Sequence, residues 1–180
     1  MWPRERCDDE VAAALRGAFV LGPDRTPEQD MEFGLIEVSD IAVRALSPGT
    51  NDPTTAMRCI DRLAQVLAEL ATRGEPDPRR ADGSGRVRLV ARGTSFERAM
   101  GLAFDQIRHF GADNPGIAKK LLEALLDLAA VVPASGRPAV AGQAEGVLRA
   151  ARRAIADPVD LAATERLGRQ VLDRAGAPPT

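Results

Sequence analysis

Tyrosine is absent from these 180 residues, tryptophan occurs once, at Trp2, and aromatic side chains make up only 3% of the chain. With so few large rings, the interior has to be filled by Ala, Leu, Val and Ile, a composition that suits closely approaching helices. The same scarcity leaves few platforms on which nucleic-acid bases could stack. An excess of one charge is also missing. Twenty-four Lys and Arg stand against 26 Asp and Glu, for a net charge of −2. No overall field draws such a chain to a phosphate backbone, so nucleic acid is not an expected partner.

Cysteine and histidine are scarce too. Cys7 and Cys59 stand outside any CxxC pair, and the single His109 cannot complete a zinc site with them at a recognised spacing. Neither a metal nor a cofactor is expected. Cys59 falls on the apolar face of a predicted helix and reads as a small buried thiol, which fits a reducing compartment. His109, near the end of another helix, reads as an ordinary surface histidine. Long hydrophobic runs are missing as well. The most apolar stretch, Leu121 to Val132, is broken by Glu123 and Asp127, short of the ~20 residues a membrane span requires. Met1 to Arg6 lack the apolar core of a signal peptide. On this reading the chain is soluble and cytoplasmic. Gly-rich phosphate loops, HExxH and GxSxG are absent, and Ser47 has no nearby histidine base. Nothing in the pattern separates Asp40 or Asp61 from helix-surface acids.

What the sequence does have is helix punctuation. Thr26-Pro27, Asp52-Pro53, Asn114-Pro115 and Asp157-Pro158 each place a short polar cap before a proline, where the missing N–H costs nothing. The predicted helices run from about Pro27 to Ser47, Pro53 to Arg73, Ser95 to Phe110, Pro115 to Val132, Pro138 to Ala156 and Pro158 to Arg174. Apolar stripes support them: Met31, Leu35, Val38, Ala42 and Ala45 on the first, and Ala56, Cys59, Ile60, Leu63, Leu67 and Leu70 on the second. Further stripes are Phe96, Met100, Ala103 and Ile107, then Val140, Ala144, Val147, Ala151 and Ile155. The expected fold is all-α, a compact bundle of about six helices forming one domain over 1–180. Residues 74–85 read as a flexible loop and 175–180 as a frayed tail. At most one short strand is expected, near 86–91, and it lacks a convincing partner within the chain.

One polar cluster stands apart. Asp30, Glu37, Asp40, Arg44 and Ser47 share an arc of roughly 100° on the first long helix, with Asp40 and Arg44 spaced as i, i+4 partners. Ile36 and Val43 add a second apolar face, so the helix is expected to be covered on most sides. The connection that follows, Ser47-Pro48-Gly49-Thr50-Asn51-Asp52-Pro53-Thr54-Thr55, concentrates hydroxyl, amide and carboxylate groups at a helix N-terminus beside Arg44. It reads either as a tightly hydrogen-bonded corner, capped by Asp52 or Asn51, or as a small-anion site. Both readings expect the corner to be sheltered from water and Arg44→Ala to cost more than a surface change.

The run Arg25-Thr26-Pro27-Glu28-Gln29-Asp30, then Phe33-Gly34-Leu35, then Ser39-Asp40-Ile41-Ala42-Val43-Arg44-Ala45-Leu46 continuing through Ser47–Ala56, with Cys59-Ile60-Asp61-Arg62-Leu63 after it, resembles a known family. It is similar to the C-terminal part of bacterial predicted membrane proteins grouped as domain of unknown function 2254. Ala103-Phe104-Asp105-Gln106-Ile107-Arg108 fits the same pattern, which loosens after Val132. The resemblance implies a parent with transmembrane helices and an intervening region upstream, and a place for this part on the cytoplasmic face. That upstream region would be a partner and could pair the lone strand; self-association into a homo-oligomer is the other expected partnership. The resemblance implies a setting and no activity. The candidate ligand-binding set, with Arg25 and Thr55 from the same runs, is Arg25, Asp30, Asp40, Arg44, Ser47, Asn51, Asp52 and Thr55. The expected role is an accessory, sensing or assembly domain. The alternative is a hydrolase or transferase with a pocket lined by Asp40, Arg44, Asn51 and Asp52, acting on a phosphorylated or membrane-derived substrate.

Overall fold

Helix caps set the frame of this chain, and three of the four caps that precede a proline work as expected in the computed structural model, which describes residues 8–19, 22, 24–27, 29–91 and 93–176. Cys7 and the last four residues of the expected frayed tail lie outside the described residues. Asp52 caps α3 (Pro53–Arg73), Asn114 caps α5 (Pro115–Val131) and Asp157 caps α7 (Pro158–Ala175), each accepting from one or two free N–H groups of the first turn. Ser95 does the same for α4 (Phe96–Phe110). The fourth site differs. Thr26 takes the amides of Gln29 and Asp30 on its carbonyl in a turn, and α2 (Met31–Ala45) starts after Asp30, whose carboxylate accepts from Phe33 N–H. A carboxylate held by Arg25 displaces the Thr-Pro cap by one turn.

A 3-10 turn, Ala134–Gly136, leads into α6 (Arg137–Ala154). A short helix, α1 (Asp9–Gly17), precedes the rest and buries no residue. The six helices that the periodicity predicts are present, α1 is not among them, and the reading of the extended segment needs correction. The extended segment does not wait for a partner elsewhere. β2 (Val87–Val90) pairs antiparallel with β1 (Arg79–Ala81), inside the stretch expected to be loop. Asp82 closes this hairpin by accepting from the Ser84 and Arg86 amides at 3.0 and 3.1 Å, with Gly85 at φ 80°.

Side-chain burial follows the stripes. α5 lies against α3, α6 and α7, and Ile117, Leu121, Leu122, Leu125 and Leu128 on it are essentially inaccessible. The stripes of α3, α4 and α6 are buried at nearly every expected position, Cys59 included, and burial pushes the Cys59 thiol pKa up. α2 and α3 pack as neighbours, as their short connection requires; α4 packs against both of them and against α6. Between them, α2, α4 and α6 frame a groove on the surface.

Candidate functional site

The polar corner between α2 and α3 is built from local bonds. Ser47 Oγ donates to the Arg44 carbonyl at 2.7 Å, and the Ser47 carbonyl accepts from the Thr50 and Asn51 amides at 3.0 and 2.9 Å. Asn51 takes the left-handed conformation, φ 45°, which lets the Asp52 amide return to the Ala45 carbonyl at 2.7 Å. The Asp52 carboxylate accepts from Thr55 N–H at 3.0 Å and from Thr55 Oγ1 at 2.5 Å. The Thr55 hydroxyl and amide hold the Asp52 carboxyl below its ordinary pKa.

The expectation of shelter is not met. Asp40, Arg44, Thr50 and Asn51 are exposed, while Ser47, Asp52 and Thr55 are half-buried. Bonds that close within a few residues need no cover from the rest of the fold, so the corner can stand at the surface. The Asp52 carboxylate also occupies the cap position at which an external anion would approach α3. Arg44→Ala is therefore expected to change the unfolding free energy by no more than about 0.5 kcal/mol, read from the urea midpoint; a loss several times larger would restore the sheltered corner.

The predicted set does not gather in one place. Arg25 and Asp30 sit at the start of α2, 15 residues long, and so about 22 Å from the corner at its other end. There Arg25 Nε donates to Asp30 Oδ2 at 2.7 Å, and its guanidinium lies 5.3 Å from the Phe33 ring centroid. Only Asp40 faces a different surface, the groove of about 780 Å³ whose walls come from α2, α4 and α6. Arg44, Asn51 and Asp52 do not line it, so the four residues expected around an enzymatic pocket are not brought together.

The groove gathers polar groups that the sequence pattern does not single out. Ser39 is 2% exposed, lines the groove and leaves its hydroxyl without a hydrogen-bond partner. The Gln143 Oε1 on α6 is likewise buried and unpartnered, while its Nε2 donates to Asp105 Oδ1 at 2.9 Å. Arg108 donates to the same Asp105 oxygen at 2.9 Å. One end of the groove is braced across helices. Arg98 grips both oxygens of Glu32 at 2.6 and 2.8 Å, and Thr94 Oγ1 donates to Glu32 Oε1 at 2.8 Å. Those bonds bring the Glu32 pKa down from 4.5 to about 2. A folded-state value below the unfolded one means the Glu32 contribution is present above pH 4.5 and fades as pH falls towards 2. The stability gap between wild type and Glu32→Gln is expected to be full at pH 6 and to shrink steadily below pH 4.5 in urea titrations.

A signal for Ser39 was present. It falls four residues after Leu35 and three before Ala42, a hydroxyl inside an apolar stripe. Asp105 and Gln106 lie in the later run that carries the family resemblance. Gln143 has no such signal, since only the packing of α6 on α4 brings it to the groove.

Residues 1–127 match the family described as "Predicted membrane protein (DUF2254)". Uncharacterised proteins of Mycobacterium tuberculosis (strain H37Rv) and Mycobacterium bovis are 39% identical over 166 residues, covering 88% of this chain and 32% of each relative. The chain thus spans about a third of the length of the curated relatives it matches. No solved structure matches it. No helix among the described residues is long and apolar enough to cross a membrane. Ser39, Asp40, Asp105 and Gln106 fall inside the matched region, and Gln143 falls beyond it.

Proposed function

Because this chain belongs to the DUF2254 family of predicted membrane proteins, we propose that it is a non-enzymatic sensing domain of a bacterial membrane protein, which reads a small polar ligand in the α2–α4–α6 groove. In this reading the rest of the longer relatives carries the membrane segments, and the sensing domain sits on the cytoplasmic face. The observation that supports it is the Ser39 hydroxyl, buried and unpartnered in the groove wall. A buried polar group without a partner costs about 1–3 kcal/mol, and a ligand that completes its hydrogen bond recovers part of that. A volume of about 780 Å³ suits a metabolite-sized molecule. Helices hold the walls, so ligand occupancy can bias how α2, α4 and α6 pack, and that bias is what a sensor transmits.

Thermal melts of the full chain against amines, amino acids, small anions, nucleotides and divalent ions test this. Gln106→Trp, which sets a ring across the groove from an exposed position, serves as the blocked variant. A ligand at 100 times its Kd is expected to raise the midpoint by about 5–11 °C in wild type and to leave the blocked variant unmoved. An anion whose shift survives Gln106→Trp and disappears in Arg44→Ala would return the site to the corner. No shift with any class would overturn the sensing role.

A further inference from the structure

We infer that the ligand of the groove is a small organic cation carrying several N–H donors on an aliphatic spacer, an amine or guanidinium compound; the inference rests on the sensing role proposed above. The wall offers what such a ligand needs and little that an anion could use. Three carboxylates, Asp40, Glu97 and Asp105, line the groove. Arg98, the lining residue of opposite charge, is already engaged by both oxygens of Glu32. Asp105 is already paired with Arg108 at 2.9 Å, but Asp40 and Glu97 make no ion pair among the described residues, so an incoming anion would meet their negative charge and an incoming cation would relieve it.

The two unpartnered buried polar atoms that line the groove point the same way; a third, Arg108 Nε, is a donor and lies outside the lining. The amide of Gln143 can sit only one way round, since its NH₂ donates to the Asp105 carboxylate and a reversed amide would set oxygen against oxygen. Its Oε1 is left as a buried acceptor awaiting a donor. The Ser39 hydroxyl, 2% exposed, can accept as well. Beside them, Gly101 keeps the approach to Asp105 open: a Cβ at that position would stand 3.2 Å from Asp105 Oδ2. The apolar side chains of Ile36 and Leu102 complete the lining, and they suit methylenes between the donors. A bare metal ion fits poorly, because no three acidic, His or Cys side chains among the described residues converge closely enough to hold one.

Isothermal titration of the full chain with putrescine, spermidine and agmatine tests the class, with 1,4-butanediol, succinate and magnesium chloride as neutral, anionic and charge-only controls. At least one amine is expected to bind, with none of the controls doing so. Asp105→Asn is expected to weaken it at least ten-fold, and Glu97→Gln, at an exposed position that leaves folding intact, several-fold. Gln106→Trp is expected to abolish the signal. Amine binding that Gln106→Trp and both carboxylate variants leave unchanged would reflect general surface charge and overturn the inference. Binding of succinate or butanediol that Gln106→Trp removes would overturn the ligand class while keeping the sensing role. Silence from every compound in both the titrations and the thermal screen would overturn both.

Discussion

Phe104→Ala is expected to cost about 3–5 kcal/mol of folding stability, the loss that follows when a whole buried ring is removed and its space stays empty. Phe104 is 1% exposed and is the largest of the fully buried side chains. It sits on α4, which contacts α2, α3, α5 and α6, so the cavity left by its ring would be bordered by several helices that cannot all close in. The chain has five phenylalanines and no tyrosine, and apart from Phe96 and Met100 the rest of the buried hydrophobic core is made of small and branched apolar side chains. Domains hold only about 5–15 kcal/mol of stability in total, so the variant should unfold at a far lower urea concentration with a similar slope. A change below about 1 kcal/mol would mean that the ring is not enclosed.

Gly168→Val comes next, at roughly 3 kcal/mol. α6 and α7 approach each other so closely at this point that a Cβ on Gly168 would stand 2.5 Å from Leu148 Cδ2 and 2.8 Å from both Cδ1 and Cγ. Leu148 is itself only 5% exposed, and Val171 and Leu172, one turn further along α7, are buried with it. The leucine therefore cannot swing away without disturbing the same interface. Gly142 on α6 makes the matching control, because a Cβ there meets nothing within 4 Å. Gly142→Ala should stabilise the chain by about 0.8–1 kcal/mol through helix propensity alone. Equal responses at the two glycines in urea titrations would contradict the close approach.

Local chemistry explains what could be read in advance. Asp52, Asn114 and Asp157 cap their helices using groups within three residues of themselves, and the stripes of α3, α4 and α6 follow the 3.6-residue period into the core. Where expectation departed from the fold, the deciding contact was elsewhere. Thr26-Pro27 carries a sound cap signal, but Asp30, fixed by Arg25, takes the role. The hairpin partner Arg79–Ala81 shows no alternation because both its faces are exposed, so no buried face imposes a period of two. Ile36 and Val43 suggested that α2 is covered on most sides, yet Ile41 on the same helix is 49% exposed; an apolar side chain on a helix does not by itself prove burial. That error made the corner look sheltered. The surface that does hold unpartnered buried groups lies along the middle of α2, where Ser39 passed as one small residue in an apolar row.

The groove stands or falls with the hydroxyl of Ser39. Chemical denaturation of ligand-free Ser39→Ala weighs it directly. Deleting an unpaired buried hydroxyl from a helix interior should raise stability by about 1–2 kcal/mol, through relieved desolvation and better helix propensity, with the slope unchanged. A fall in stability of similar size would show that the oxygen already has a partner and that the wall of the groove is closed.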